Sequence, residues 1–132
     1  MRLAAIDIGS NAVRLIVKEI TGEPGSLKVR KLAHTRVPIR LGEDVFGSGS
    51  IGTEKERLLG QALQGFGMLM QAMQVSEFRA CATSAMRAAV NGADIVTPKN
   101  KLNEPPTEPI ISGNDKIKIS SWISLIIDHN PM

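Results

Sequence analysis

The chain has 132 residues, 42% of them apolar, and a formal net charge of +3 at neutral pH. This is the length of one domain, with enough apolar material to build a core. No apolar run reaches the roughly 20 residues that a membrane-spanning helix needs, and with three Phe, one Trp and no Tyr a base-stacking nucleic-acid module is not expected.

Asp7 interrupts the short apolar run after Arg2, so no secretory leader is expected and a cytoplasmic location is the default reading. The lone Cys81 has no disulfide partner within the chain, in keeping with a reducing compartment, and reads as a small buried hydrophobe. His34 and His129 stand apart, and no Cys/His set has metal-ligand spacing.

Residues 2–8 are mostly apolar and predict a buried strand. Gly9-Ser10-Asn11 is turn material, and Val13, Leu15 and Val17 alternate with polar residues in a second strand over 12–20. After the Gly22–Gly25 turn, residues 27–37 predict a third strand, completing an antiparallel meander. Residues 42–52, with four glycines and two serines, read as a loop. Thr53-x-x-Glu56 then has the form of a capping box. Leu58, Leu59, Ala62, Leu63, Phe66, Leu69, Met70 and Met73 follow at helical spacing, which predicts a helix with one core-facing side. Gly60, Gly65 and Gly67 weaken that helix and suggest close approach to the sheet. Residues 77–83 predict a short strand, Ser84 a helix cap, and Asn91-Gly92 the end of that helix's first part. The predicted class is α/β, a mixed sheet with packed helices. The character changes near residue 97: residues 1–96 hold two of the seven prolines, and the rest holds Pro98, Pro105, Pro106, Pro109 and Pro131.

Two segments could carry chemistry. In Asp7-Ile8-Gly9-Ser10-Asn11, glycine permits close backbone approach to a phosphate, while Ser10 and Asn11 add donors. Asp7, at the strand end, is a carboxylate that could hold a hydrated cation or orient water. A plain hairpin turn accounts for the same residues. In Ala82-Thr83-Ser84-Ala85-Met86-Arg87, two hydroxyls lie where a strand passes into a helix. The helix start favours an anion and Arg87 offers a planar fork for phosphate oxygens. An ordinary N-cap with a solvated Arg accounts for these too. Both segments end strands, so they are expected to meet at one crevice.

Residues 5–15, Ala-Ile-Asp-Ile-Gly-Ser-Asn-Ala-Val-Arg-Leu, resemble the first phosphate loop of the exopolyphosphatase / guanosine pentaphosphate phosphohydrolase family. Arg40-Leu41-Gly42-Glu43 is similar to the family's next loop, and Ala82–Arg87 with Asn91-Gly92 to its second segment, in the same order. The resemblance implies a ribonuclease H-like (actin-like ATPase) domain, of which residues 1–96 are the N-terminal phosphate-binding part. It implies hydrolysis of a terminal phosphate of inorganic polyphosphate or guanosine pentaphosphate with Mg2+ or another divalent cation. It places Gly9, Ser10, Asn11, Thr83, Ser84 and Arg87 at phosphate, and Asp7 near the metal or the attacked phosphorus.

The likeness thins after residue 96. Ile110-Ile111-Ser112-Gly113 falls where the family has an Ile-Ser-Gly segment followed by x-Glu-Glu-Ala. Here Lys116 stands in the place of the Glu expected to act as base, and a protonated ammonium cannot accept a proton from water. Asp115 beside it is the alternative carboxylate. The family's second phosphate loop, Asp-x-Gly-Gly-Gly-Ser, is not found in the 132 residues. Residues 97–132 are therefore expected to be a divergent Pro-rich and apolar tail, which could still complete the same domain, and this sequence to be an incomplete and poorly active relative. The competing reading is a non-catalytic phosphate- or protein-binding remnant, and an exposed apolar face on such a remnant would favour self-association.

Overall fold

The computed structural model describes residues 1–82 and 84–96, with Val96 described in its backbone only. The expectations about Thr83, Asp115, Lys116 and the tail lie outside the described residues. Strands β1 (Arg2–Ile8), β2 (Val13–Thr21) and β3 (Lys28–Val37) form the meander, within one residue of the predicted bounds. Helices α1 (Leu41–Ser48) and α2 (Thr53–Ala72) follow, then β4 (Glu77–Ala82) and the short helices α3 (Ser84–Ala88) and α4 (Gly92–Val96).

The sheet order is β3-β2-β1-β4, with β1 antiparallel to β2 and parallel to β4. Because side chains alternate across a strand, register decides which residues meet. Ala4, Ile6 and Ile8 pair with Val17, Leu15 and Val13, and all six are buried. Leu59, Leu63, Phe66 and Met70, the i, i+4, i+7, i+11 stripe of α2, are buried in the same core. Burial of four such side chains contributes roughly 1.5–3 kcal/mol each, which is why α2 persists despite its glycines. Gly67 is buried, but a Cβ on Gly65 would meet open space, so Gly65 does not serve close approach. At the end of α2, Gln74 takes a left-handed conformation (φ 54°) while the Val75 amide donates to the Met70 carbonyl at 3.0 Å. That closes the helix in the manner usually given to glycine.

Further local expectations are corrected, among them Ser84 as a helix cap, since it is already the first helical residue of α3. Residues 41–48 are helical rather than loop, because Leu41 and Val45, four apart, both bury a side chain that glycine content does not reveal. The capping box does not cap: the Glu56 amide bonds to the Gly52 carbonyl at 2.9 Å, so Gly52 is the N-cap and Thr53 is already helical. Cys81 is only half-buried, because its register with Asp7 puts it on the face opposite the core. Among the described residues no helix is long and apolar enough to cross a membrane.

Candidate phosphate site

Parallel pairing of Ile8 with Ala82 brings the C-terminal ends of β1 and β4 side by side. The chain leaves β1 through Gly9–Ala12, and α3 begins just beyond β4. The two predicted segments therefore share one sheet edge, and the Ser10 and Ser84 hydroxyl oxygens lie 3.4 Å apart although 74 residues separate them. Arg87 is exposed, three residues after Ser84 on the same short helix, and has no hydrogen bond or ion pair among the described residues. With only five residues, α3 carries little macrodipole, so on that side the hydroxyl and guanidinium are stronger donors than the helix start.

The Gly9–Ala12 turn is closed by the Gly9 amide donating to the Ala12 carbonyl at 2.9 Å, and a Cβ on Gly9 would approach that carbonyl to 3.0 Å. Glycine is thus set by the turn itself, and its N–H is already engaged. The Ser10 carbonyl accepts from the Gly42 amide at 2.8 Å and the Asn11 carbonyl from the Arg40 amide at 2.9 Å. A planar trans peptide points its N–H opposite its carbonyl. The Asn11 and Ala12 N–H groups are therefore turned away from residues 40–42. Gly42 is tightly placed: an added Cβ would lie 3.2 Å from Ser10 Cβ and 3.1 Å from Phe46 Cε2.

Residues 40–44 are held in turn by Lys55, at the start of α2. Its ammonium donates to the Arg40 carbonyl at 2.6 Å and lies 3.1 Å from Glu43 Oε2 and 2.9 Å from Asp44 Oδ1. The bond to Asp44, then that to Glu43, raises the Lys55 pKa, and the ammonium holds both carboxyls below the usual carboxylate range. Asp44 also accepts from the Gly52 amide at 2.8 Å. The Asn91 side chain brackets residue 51: its Oδ1 accepts from the Ile51 amide at 2.9 Å and its Nδ2 donates to the Ile51 carbonyl at 2.8 Å. The turn after α3 is thereby tied to the start of α2.

Asp7 faces away from the core with Arg14 and Cys81 as register partners. Arg14 Nη1 stands 3.5 Å from its carboxylate, and the Cys81 thiol donates weakly to it at 4.0 Å. Among the described residues no group of three His, Cys, Asp or Glu could hold a metal ion. A single carboxylate fits only a cation coordinated chiefly by water and substrate phosphate oxygens, which is the usual habit of Mg2+. Sequence reasoning missed Arg14, Lys55 and the Asn91 bracket. Only Arg14 had a signal, since the short turn fixes Asp7 opposite it.

The fold is of the actin-like ATPase type, a mixed sheet opening with an antiparallel meander. No family model matches the chain. The solved structure of an Aquifex aeolicus member of the Ppx/GppA protein family is similar, with 30% sequence identity and a TM-score of 0.65, over 73% of this chain and 30% of that one. The type II variant of the Aquifex aeolicus Ppx/GppA phosphatase matches at the same identity, TM-score and share of this chain, over 31% of its own length. An exopolyphosphatase from Cytophaga hutchinsonii matches with a TM-score of 0.66 over 73% of this chain and 30% of its own, and at 23% identity it speaks for the fold alone. The resemblance to the exopolyphosphatase / guanosine pentaphosphate phosphohydrolase family read in the sequence therefore extends to the fold. The chain spans about 30% of the length of these structures.

Proposed function

We propose that the two turns grip a terminal phosphate of a phosphoanhydride, inorganic polyphosphate or guanosine pentaphosphate. The observation that carries this reading is the 3.4 Å approach of Ser10 and Ser84 from two separate strand ends. The Ser10, Ser84 and Asn11 side chains and the outward amides of the turn supply donors. Arg87 supplies the charge, and its planar fork matches two phosphate oxygens. Gly9 contributes shape rather than a bond. Thr83 would add a hydroxyl on the grounds of family resemblance.

Mg2+ would be held by Asp7 together with phosphate oxygens, and when bound it would offset negative charge on the transferring group. Hydrolysis further requires a base to take water's proton. Asp7 is engaged by Arg14, and the resemblance puts Lys116 at the base's position, so the reading that fits this chain is phosphate binding with weak turnover. A positioned base contributes about 10²–10⁴-fold, and both it and electrostatic stabilisation act on the transition state, so binding can persist where turnover fails.

The test is phosphate release from long-chain polyphosphate with magnesium, measured for this chain, Arg87→Ala and Lys116→Glu. Little release is expected from the unmodified chain or from Arg87→Ala, since Asp7 is engaged by Arg14 and the resemblance puts an ammonium at the base's position; Lys116→Glu tests whether a carboxylate there raises it. Saturable release by the unmodified chain, abolished by Arg87→Ala, would show instead that the catalytic groups are present here, with Asp115 the first to test as base.

A further inference from the structure

We infer that Lys55 is a positioning residue for the phosphate turn, acting through residues 40–44. This rests on the phosphate-binding reading above. The Lys55 side chain is only 18% exposed, and its ammonium has three oxygens around it, from Arg40, Glu43 and Asp44. An ammonium has three donors, so the set matches its full capacity. The segment it grips is the one that holds the turn: the Arg40 and Gly42 amides take the Asn11 and Ser10 carbonyls at 2.9 and 2.8 Å.

Arg40 also adopts a left-handed conformation, φ 58° and ψ 50°, which a non-glycine side chain disfavours. Such a conformation persists where surrounding bonds over-determine it. The Lys55 bond to the Arg40 carbonyl, at 2.6 Å, is the shortest of the three and acts on that very residue. One ammonium on α2 therefore fixes the backbone that in turn fixes which way the Ser10 and Asn11 peptides point. A surface ion pair alone would bind the two carboxylates and leave the carbonyl aside.

The experiment compares the unmodified chain with Lys55→Met by amide hydrogen exchange and by tripolyphosphate titration followed by NMR. The Arg40 and Gly42 amides should lose about tenfold in protection and tripolyphosphate should bind about tenfold more weakly, the scale of one charge-assisted hydrogen bond. Leu63 and Phe66 amides, in the middle of α2, should lose less protection than Arg40 and Gly42, whereas a general loss of stability alone would lower all four alike. Unchanged protection at Arg40 and Gly42 with unchanged affinity would overturn the inference. If tripolyphosphate binds neither protein, or binds without regard to Arg87→Ala, the phosphate reading fails, while the exchange rates still decide the role of Lys55. Should Lys55→Met not fold, Lys55→Arg supplies the same readouts, because a planar fork cannot direct donors to the three oxygens as an ammonium does.

Discussion

Replacing Asn91 by Ala removes both bonds of the bracket on Ile51 while leaving the helices on either side intact in sequence. Ile51 is 3% exposed, so its amide and carbonyl would lose partners in a place that water reaches poorly. An intramolecular hydrogen bond is worth about 0.5–1.5 kcal/mol net, and a buried group left unpaired costs about 1–3 kcal/mol. Two groups, partly rehydrated, give an expected loss of about 2–4 kcal/mol. Urea denaturation followed by circular dichroism measures it; with an m-value of about 2 kcal/mol/M, the midpoint should fall by about 1–2 M. Val90→Ala is the control, since Val90 is 88% exposed and its side chain contributes little. A loss under about 0.5 kcal/mol for Asn91→Ala, no larger than the control, would refute the claim that this bracket joins the α3 turn to the start of α2.

Other outcomes follow from the same geometry. Gly92→Ala should destabilise by more than about 1 kcal/mol, read as a lower denaturation midpoint, because its Cβ would fall 1.9 Å from the Met86 carbonyl oxygen and backbone must move. Gly65→Ala should instead stabilise by about 0.5–1 kcal/mol in the same assay, since an exposed mid-helix glycine with open space gains helix propensity without a clash. Stability against pH should show a plateau. Glu43 and Asp44 (held down by Lys55) and Glu19 (held down by Arg30, then Arg2) contribute above their unfolded pKa values, and that contribution is lost as pH falls through the lowered folded values. The raised Lys55 contributes below the ordinary ammonium range, and its share is lost as pH rises through its folded value. Thermal melts across pH should thus decline at both ends, and added salt should shrink the effect because these pairs are solvent-accessible.

The meander and α2 were legible because hydrophobic period and turn chemistry agree there: Val13, Leu15 and Val17 alternate into the core, and Leu59, Leu63, Phe66 and Met70 fall on one helical stripe. The approach of Ser10 to Ser84 was legible only as topology, from two donor-rich turns at strand ends. Helix α1 was hidden because glycine and serine composition outweighed the single Leu41/Val45 pair, and only tertiary contact makes that pair decisive. Thr53 and Glu56 illustrate a limit of motif reading: the spacing of a capping box was present, but Gly52, anchored by Asp44, starts the helix one residue earlier. Lys55 carries no mark in the sequence, since no periodicity identifies a side chain whose partners lie 11 to 15 residues back. Asn91 was read as a helix end, and its side-chain work 40 residues away has no sequence signature.

The central claim is that Ser10, Asn11, Ser84 and Arg87 form one phosphate grip. Tripolyphosphate titration followed by amide and side-chain NMR, on the unmodified chain and on Arg87→Ala, tests it most directly. The account predicts saturable shifts at Ser10, Asn11 and Ser84 together, with affinity falling by about 1.5–3 kcal/mol, tenfold or more, when the guanidinium is removed. Shifts confined to scattered lysines, or an affinity indifferent to Arg87→Ala, would contradict it.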